Sequence, residues 1–258
     1  MEKLKLLQKI KEKKELSGMA DIVVLKNLDD YIKKYKINLD KIPPSQIKIM
    51  IKEIRADLRK LTGRFQKNIK KRKNLQENFN EVLKTHTSTH ERLSFYPGLK
   101  AIISKEKPKS ILDLGCGLNP LALASKGTKY YASDIKEDEL EIVDAFFKKN
   151  KIPGKTFIYD LRNPEEELPQ ADICLIFKVL DILDKKNHSL TRRILEKVNC
   201  KKFIISFSTK KLSGRPMNKP QRIWFEKTLK NLKFPFEKLN TSNEIFYLID
   251  KKSSSTGN

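Results

Sequence analysis

An apolar segment that runs directly into a glycine-rich turn limits the folds open to this chain. Residues 110–120 have the sequence SILDLGCGLNP, in which a short apolar strand is followed by two closely spaced glycines. Gly115 and Gly117 permit a tight turn and let the backbone approach a ligand that a Cβ would block. Pro120 sets φ for the first turn of a helix. This order is typical of a nucleotide-type site at the carboxyl end of a parallel strand, although the missing third glycine disfavours pyrophosphate.

From residue 110 onward, short apolar or β-branched runs alternate with polar helical stretches. The candidate strands are Ser110–Leu114, Lys129–Ser133, Lys155–Tyr159, Ala171–Phe177, Lys202–Ser206 and Ile245–Asp250. This alternation predicts an α/β fold, with a mostly parallel sheet and helices on both faces. A further run, Phe236–Leu239, is separated from the last strand by the turn-forming residues 240–243, which predicts a C-terminal antiparallel hairpin.

The first hundred residues have the periodicity of helices instead. One predicted helix has its apolar stripe at Ile22, Leu25, Leu28, Ile32 and Tyr35. A longer one has its stripe at Ile47, Ile51, Ile54, Leu58, Leu61, Phe65 and Ile69. Ser45 is the candidate N-cap of the longer helix. We therefore predict an all-α basic domain at 1–105, an α/β domain at 106–252 and a disordered tail at 253–258.

The charge of the chain indicates a polyanionic partner. Lys and Arg number 55 against 32 Asp and Glu, which gives a formal net charge of +23. The first 105 residues contain 26 basic and 12 acidic side chains, so positive charge is denser in the helical part. We therefore expect nucleic-acid binding. The phosphate-binding residues expected at the end of the long helix are Lys67, Lys70, Lys71 and Arg72.

Several classes of protein are excluded by what the sequence lacks. It has no run of about eighteen apolar residues, as a membrane span needs, and its Lys-rich N-terminus lacks the apolar stretch of a secretory signal. Cys116, Cys174 and Cys200 are scattered, which argues against a disulfide scaffold and against zinc-ligand spacing. We therefore expect a cytoplasmic protein with neither a membrane span nor a metal site.

A second acidic residue ends the next predicted strand. Asp134 follows Asp113 by 21 residues, and a carboxylate there can accept hydrogen bonds from both hydroxyls of a ribose. The acid–glycine turn and this second acid together resemble the S-adenosylmethionine (SAM) site of the class I methyltransferases, which implies a Rossmann-like fold. In that superfamily the first acid and the turn hold the amino-acid end of SAM, and the second acid holds the ribose. The end of the third strand, at Asp160 and Leu161, would line the adenine.

The sequence lacks residues that some methylation reactions require, which reduces the number of possible methyl acceptors. An Asn-Pro-Pro-Tyr motif would follow the fourth strand in exocyclic-amine methyltransferases, but residues 176–181 read IFKVLD. None of the cysteines is well placed to attack a pyrimidine. Guanine N7 has a free lone pair at neutral pH, so its methylation requires alignment rather than a base. Lys178 could instead activate a ribose 2′-hydroxyl, and the sequence leaves that alternative open.

Three segments carry a closer resemblance. They are residues 84–93 (KTHTSTHERL), 114–122 (LGCGLNPLA) and 206–215 (SFSTKKLSGR). In this order they resemble the aminoglycoside-resistance 16S ribosomal RNA methyltransferases, which modify guanosine N7 in the decoding region. The resemblance runs from about His86 to Asp250. The basic helices that precede it look like the ribosome-docking extension of that family.

The resemblance implies roles for individual residues. Arg92 would bind the carboxylate of SAM as a bidentate partner, and Lys178 and Leu180 would face the target base. RNA phosphates would be held by the loop residues Lys210, Lys211 and Arg215. The residues expected to bind the cofactor are His86, Ser88, Arg92, Asp113, Gly115, Cys116, Gly117, Asn119, Asp134, Ile135, Asp160, Leu161 and Lys178.

Together these features predict a monomeric, SAM-dependent enzyme that methylates a guanosine N7 of 16S ribosomal RNA in the assembled small subunit. Its physiological role would be aminoglycoside resistance or a housekeeping modification. Two alternatives stay open: the same cofactor chemistry on tRNA or another ribosomal RNA position, including a ribose 2′-hydroxyl, or a SAM-binding ribosome-assembly factor without catalytic activity.

Overall fold

The computed structural model describes residues 3–62, 78–164, 167–184, 187–210, 215, 217–218 and 220–251. Within them, one mixed sheet is formed by β1 (Ser110–Leu114), β2 (Lys129–Asp134), β3 (Gly154–Ile158), β4 (Ala171–Phe177), β5 (Cys200–Ser208), β6 (Phe236–Asn240) and β7 (Glu244–Asp250). The order across the sheet is β3-β2-β1-β4-β5-β7-β6. Strands β1 to β5 pair in parallel, whereas β7 is antiparallel to both β5 and β6. The predicted α/β fold with a C-terminal antiparallel hairpin is confirmed.

The observed strands lie within two residues of the predicted ones at each end. The largest difference is in β5, which was expected at Lys202–Ser206. Its ladder with β4 begins at Cys200, opposite Ala171, and its ladder with β7 continues to Ser208, opposite Glu244. Pairing with the neighbouring strands therefore determines where β5 begins and ends. The local run of apolar residues, on which the prediction was based, does not indicate this pairing.

The helices flank the sheet and precede it. They are α1 (Lys3–Lys11), α2 (Asp21–Tyr35), α3 (Pro44–Thr62), α4 (Phe79–Leu83), α5 (Thr87–Arg92), α6 (Tyr96–Lys105), α7 (Pro120–Leu123), α8 (Glu137–Asn150), α9 (Leu180–Leu183), α10 (Ser189–Lys197) and α11 (Ile223–Asn231). In the described ranges, no helix combines the length and the apolar content that crossing a bilayer requires.

Apolar side chains cover both faces of the sheet and form a third cluster among the first helices. One face is covered by α6 and α8, with Leu99 and Val143 in the core. The other face is covered by α10 and α11, with Ile194 and Leu229 in the core. This double burial explains why β4 is almost entirely apolar. The third cluster joins α1, α2 and α3 around residues such as Leu28.

These clusters bear on the predicted division at residue 105. The helices α4 to α6 share the core of the sheet, through Val82, Leu83 and Tyr96 among others. The helices α1 to α3 instead pack on one another. The boundary itself stays a prediction, and the packing favours a separate unit that ends with α3.

The face that α2 buries overlaps the predicted stripe. Leu28 is buried, and Leu25 and Ile32 pack against the same cluster. The first and last members of the stripe, Ile22 and Tyr35, are 67% and 51% exposed. Val23 and Val24, outside the stripe, are buried in their place, because the helix has apolar residues on adjacent faces and its packing partners decide where the buried face ends.

The long helix begins one residue before the predicted cap. Pro44, rather than a residue after Ser45, opens α3, because proline has the φ of a first helical turn and needs no hydrogen bond for its nitrogen. The predicted stripe is buried at Ile51, Ile54 and Leu58. Its last members, Phe65 and Ile69, lie outside the described residues, as do the tail residues 253–258.

Replacing a buried residue of α3 tests this packing. Leu58 is fully buried, whereas Ile49 on the same helix is 54% exposed. We expect Leu58→Ala to lower the free energy of unfolding by about 2–5 kcal/mol, because it removes buried methyl groups and leaves a cavity. Ile49→Ala is the matched control and should change it by about 0.5 kcal/mol or less. Urea unfolding measures both, and equal effects of the two variants would contradict the assigned face.

Candidate active site

A cavity opens at the carboxyl ends of β1, β2 and β4, where ligands bind in open parallel sheets. Its volume is about 820 Å³ when the open space at its mouth is included. The residues of the predicted cofactor set that line it are His86, Ser88, Arg92, Gly115, Cys116, Gly117, Asn119, Asp134, Ile135, Asp160, Leu161 and Lys178. Asp113 is the one member of that set that does not line the cavity.

The turn after β1 requires both of its glycines. Gly115 has φ +68° and Gly117 has φ +50°, a region that side chains disfavour. A Cβ on Gly115 would lie 2.8 Å from Cγ2 of Val179, so the turn packs directly against the chain after β4. The backbone of Cys116 then donates to the carbonyl of Ser133 at 2.9 Å. These contacts fix the floor of the cavity.

Asp134 is held at the cavity wall by two backbone groups. Its Oδ2 accepts a hydrogen bond from the amide of Gly117 at 2.9 Å, and its Oδ1 accepts one from the amide of Lys136 at 3.0 Å. An ionised carboxylate has about four acceptor sites, so about two remain for a ligand. The pKa of Asp134 is raised to about 6. Burial is the largest cause and the nearby Glu139 adds to it, whereas hydrogen bonds from the backbone act in the opposite direction.

Asp113 lies beneath the turn instead of facing the cavity. Its side chain is fully buried, and its Oδ2 accepts a hydrogen bond from the hydroxyl of Tyr130 at 2.8 Å. Burial raises the pKa of Asp113 to about 7, and the bond from Tyr130 acts in the opposite direction. Asp113 is absent from the cavity wall, and its role in cofactor binding stays a prediction.

Arg92 is the largest side chain that is fully buried, and it forms one wall of the cavity. Its Nη1 donates to Oδ1 of Asn119 at 2.7 Å, and its Nη2 donates to Oε2 of Glu244 at 2.8 Å. The guanidinium also lies 4.8 Å from the ring centre of Phe177. Its Nε is buried without a hydrogen-bond partner among the described residues, so a donor remains available to a bound acceptor.

Glu244, at the start of β7, joins this wall to the chain after β4. It accepts hydrogen bonds from Arg92 and from the hydroxyl of Ser206 at 2.7 Å, and its Oε1 lies 3.2 Å from Nζ of Lys178. Burial opposes the ionisation of Glu244, but the charges of Arg92 and Lys178 outweigh it and hold its pKa below the usual value.

Lys178 lies directly after β4 in a strained backbone conformation. Its φ is +58°, which is uncommon for a residue with a side chain and is typical of functional sites. Its Nζ donates to Oε2 of Glu91 at 2.6 Å in addition to the contact with Glu244. Leu180, which was expected beside it at the target base, is fully buried in the sheet core and does not line the cavity. Leu180 therefore belongs to the apolar core, and Lys178 lies in the cavity wall.

The remaining predicted residues have identifiable local roles. Nε2 of His86 lies 4.0 Å from Oε2 of Glu139. Asp160 accepts hydrogen bonds from the backbone and Nε of Arg162 at 3.0 and 2.9 Å. Burial raises the pKa of the Cys116 thiol well above its usual value, so this cysteine is uncharged and unsuited to nucleophilic attack.

Part of the cavity wall was not predicted from the sequence. The additional residues are Leu61, Thr89, Lys136, Glu139, Tyr159, Phe177, Val179, Ile182 and Leu183. Most of them adjoin a predicted residue in the chain, so the strand ends could have indicated them. Leu61 has no such signal, because it belongs to α3 and reaches the cavity only through the tertiary fold.

The predicted RNA-binding residues fall mainly outside the described ranges, which exclude Lys67, Lys70, Lys71, Arg72 and Lys211. Of the others, Lys210 is half-buried and Arg215 is exposed. The hydroxyl of Ser208 donates to the carbonyl of Lys210 at 2.8 Å, which shapes the start of this loop. Their contact with RNA stays a prediction. Among the described residues, no three His, Cys, Asp or Glu side chains are grouped as metal ligands would be.

The strand order, the glycine turn and the acidic residue after β2 define a class I SAM-dependent methyltransferase. Residues 32–248 match the family described as ribosomal RNA methyltransferase (FmrO). The match covers most of the chain, so the chain belongs to this family. The resemblance found in the sequence is confirmed.

Individual relatives support the same assignment. A 16S rRNA (guanine(1405)-N(7))-methyltransferase of Serratia marcescens is 33% identical over 177 residues, which are 66% of this chain and 69% of the relative. One of the same name from Frankia casuarinae is 27% identical over 65% of this chain and 62% of the relative. The alignments thus span about two thirds of the length of these curated relatives.

Solved structures share the fold. The 16S rRNA methyltransferase RmtF in complex with S-adenosyl-L-homocysteine (SAH) superposes with a TM-score of 0.77 at 22% identity, over 97% of this chain and 99% of that one. The 16S rRNA methylase ArmA superposes with a TM-score of 0.57 at 26% identity, over 70% and 94% of the two chains. The wide coverage of the first comparison includes the N-terminal helices.

Removing the charge of Glu244 tests the buried network. We expect Glu244→Gln to lower the free energy of unfolding by about 3–5 kcal/mol, because it leaves the buried Arg92 cation without its counterion. Glu196→Gln is the matched control, since Glu196 pairs with Arg192 at the surface and such pairs contribute about 0–1 kcal/mol. Thermal and urea unfolding measure both variants. Similar losses in both would show that the network does not carry the stability assigned to it.

Proposed function

We propose that this chain is a SAM-dependent methyltransferase that modifies N7 of a guanosine in 16S ribosomal RNA, the reaction named for its curated relatives at guanine 1405. Membership of the ribosomal RNA methyltransferase family supports the general activity. The observation that carries the proposal is the cavity at the strand ends, where a free arginine donor, a glycine turn and an acceptor carboxylate occur together.

The donors and acceptors of the cavity fit SAM. Arg92 would bind the carboxylate of the cofactor through its unused Nε–H and remaining guanidinium hydrogens, a charge-assisted contact. The turn of Gly115 and Gly117 leaves room for the amino-acid part. Asp134 would use its unfilled acceptor sites for the two ribose hydroxyls, and Leu161 would lie against the adenine. SAM supplies an activated methyl group on a positively charged sulfur.

The side chains around Lys178 favour N7 over a ribose hydroxyl. A 2′-O-methyltransferase needs a base that removes a proton, whereas N7 of guanine carries its lone pair already. The ammonium of Lys178 is held between the carboxylates of Glu91 and Glu244, at 2.6 and 3.2 Å. Lys178 is therefore suited to position the base as a fixed cation. The apolar wall that includes Phe177 and Val179 would favour the loss of the sulfonium charge during transfer.

We further propose that the substrate is the assembled small ribosomal subunit. The dense positive charge of residues 1–105 supports docking on RNA through phosphate contacts. In this proposal α1 to α3 and the basic run at 67–72 contact the ribosome, while Lys210, Lys211 and Arg215 hold phosphates near the target.

Methyl transfer from labelled SAM tests the proposed function. The acceptors are intact small subunits, naked 16S RNA and bulk tRNA, followed by analysis of the modified nucleoside. We expect N7-methylguanosine on intact subunits only, because docking requires the folded particle. Label on tRNA, or in a 2′-O-methylated nucleoside, would contradict the substrate assignment. Cofactor binding without transfer to any acceptor would indicate the non-catalytic alternative.

The raised pKa of Asp134 predicts a pH dependence of cofactor binding. The group is ionised above its pKa of about 6 and becomes protonated as the pH falls through that value. Protonation removes acceptor capacity toward the ribose, so the Kd for SAH should rise as the pH falls below about 6, by up to tenfold per pH unit. Calorimetry between about pH 5 and 8, from roughly one unit below that pKa to two units above it, measures it.

The control for this effect is Asp134→Asn, which has no proton to gain in this range. Its Kd for SAH should be higher at pH 7.5 and should change little on acidification. A pH profile shared by the variant and the unmodified chain would assign the titration to another group.

A further inference from the structure

The N-terminal helices contact the loop that follows β2. The amide of Ala20 donates to the carbonyl of Ile135 at 3.0 Å, and the amide of Asp138 donates to the carbonyl of Gly18 at 3.3 Å. Between these bonds, Met19 pairs with Lys136 as an antiparallel β-bridge. Residues 134–138, which we call the ribose loop, are therefore bonded through their main chain to the link between α1 and α2.

Two further contacts reach the same half of the cavity. Nη1 of Arg162 donates to Oδ1 of Asn27 on α2 at 3.1 Å, and Arg162 also binds Asp160 at the end of β3. Leu61, near the end of α3, lies in the cavity wall with Leu183 of α9. The contacts with the ribose loop and with Asp160 thus go to the parts of the wall assigned to the ribose and the adenine. Of these N-terminal residues, only Leu61 lines the cavity itself.

The carboxylate of Asp138 fills the space beside Gly18. A Cβ on Gly18 would lie 2.0 Å from both Cγ and Oδ2 of Asp138, so a side chain at position 18 would have to displace that carboxylate. Met19 and Ala20, beside Gly18, are buried. Since Asp138 also lies 3.4 Å from the ammonium of Lys136, its displacement would disturb a contact within the ribose loop.

We propose that Gly18 and its neighbours are positioning residues for the cofactor: the N-terminal helices hold the ribose loop in the conformation that binds SAM. The proposal rests on the proposed function only for the identity of the cofactor. Asp134 begins this loop, and one of its two backbone donors is the amide of Lys136, the residue bridged to Met19. When Met19 holds Lys136 in place, it therefore also holds the carboxylate of Asp134, which would accept the ribose hydroxyls.

A coupling in both directions follows from this arrangement. If the N-terminal helices order the ribose loop and so raise its affinity for the cofactor by some factor, the bound cofactor must raise the equilibrium constant for packing of those helices by the same factor. A surface that docks on RNA through α1 to α3 would then bind its target more tightly in the cofactor-bound form.

Calorimetric titration of the full chain with SAH tests the positioning role. Gly18→Ala should raise the Kd by about fivefold or more, because the added methyl group displaces Asp138 and the loop. Gly127→Ala is the matched control, since a Cβ there meets nothing within 4 Å, and its Kd should equal that of the unmodified chain. An unchanged Kd for Gly18→Ala would overturn the proposal.

Hydrogen exchange on the unmodified chain gives a test that needs no folded variant. SAH should slow exchange at the amide of Ala20, which bonds to the ribose loop but does not line the cavity. The amide of Gly117, in the cavity, is the internal reference. Protection of Gly117 without Ala20 would overturn this proposal and leave cofactor binding intact. Absence of both protection and binding heat in the unmodified chain would instead contradict the proposed function.

Discussion

The buried ion pair between Arg92 and Glu244 is the interaction on which the arrangement of this active site depends. An arginine can be placed beside a cofactor cavity, out of water, only if a carboxylate and further acceptors compensate its charge. Glu244 provides that compensation from β7, and Asn119 provides it from the glycine turn. Because Glu244 also lies 3.2 Å from Lys178, the two cations Arg92 and Lys178 share one anion.

The charges that line the cavity are balanced, unlike those of the whole chain. The chain has a formal net charge of +23, which favours RNA. In the cavity wall, the carboxylates of Asp134, Glu139 and Asp160 are matched by the cations of Arg92, Lys136 and Lys178. Such a wall offers partners to a zwitterionic amino-acid group as well as to a positive sulfonium.

The sequence predicted those parts of the site that follow from local backbone rules. Gly115 and Gly117 were identifiable because only glycine adopts their conformations readily, and Asp134 because strand ends of a parallel sheet converge. Long-range packing was not predictable in this way. On α2 the sequence predicted Leu28 in the core correctly but took Ile22 rather than Val24 as a buried neighbour, because the two are similarly apolar. Leu61 reaches the cavity from a helix that precedes the turn by more than fifty residues. Asp113 fits the motif, yet its side chain lies on the sheet side of the turn.

The position of Glu244 in the chain also affects when the protein can become active during translation. Its partner Arg92 is made 152 residues earlier, and domains fold as the chain emerges from the ribosome. Until β7 has been synthesised and has inserted between β5 and β6, the arginine has no counterion and the wall of the cavity is incomplete. A nascent chain therefore completes its cofactor site only after β7 has been synthesised, 152 residues after the arginine that the site depends on.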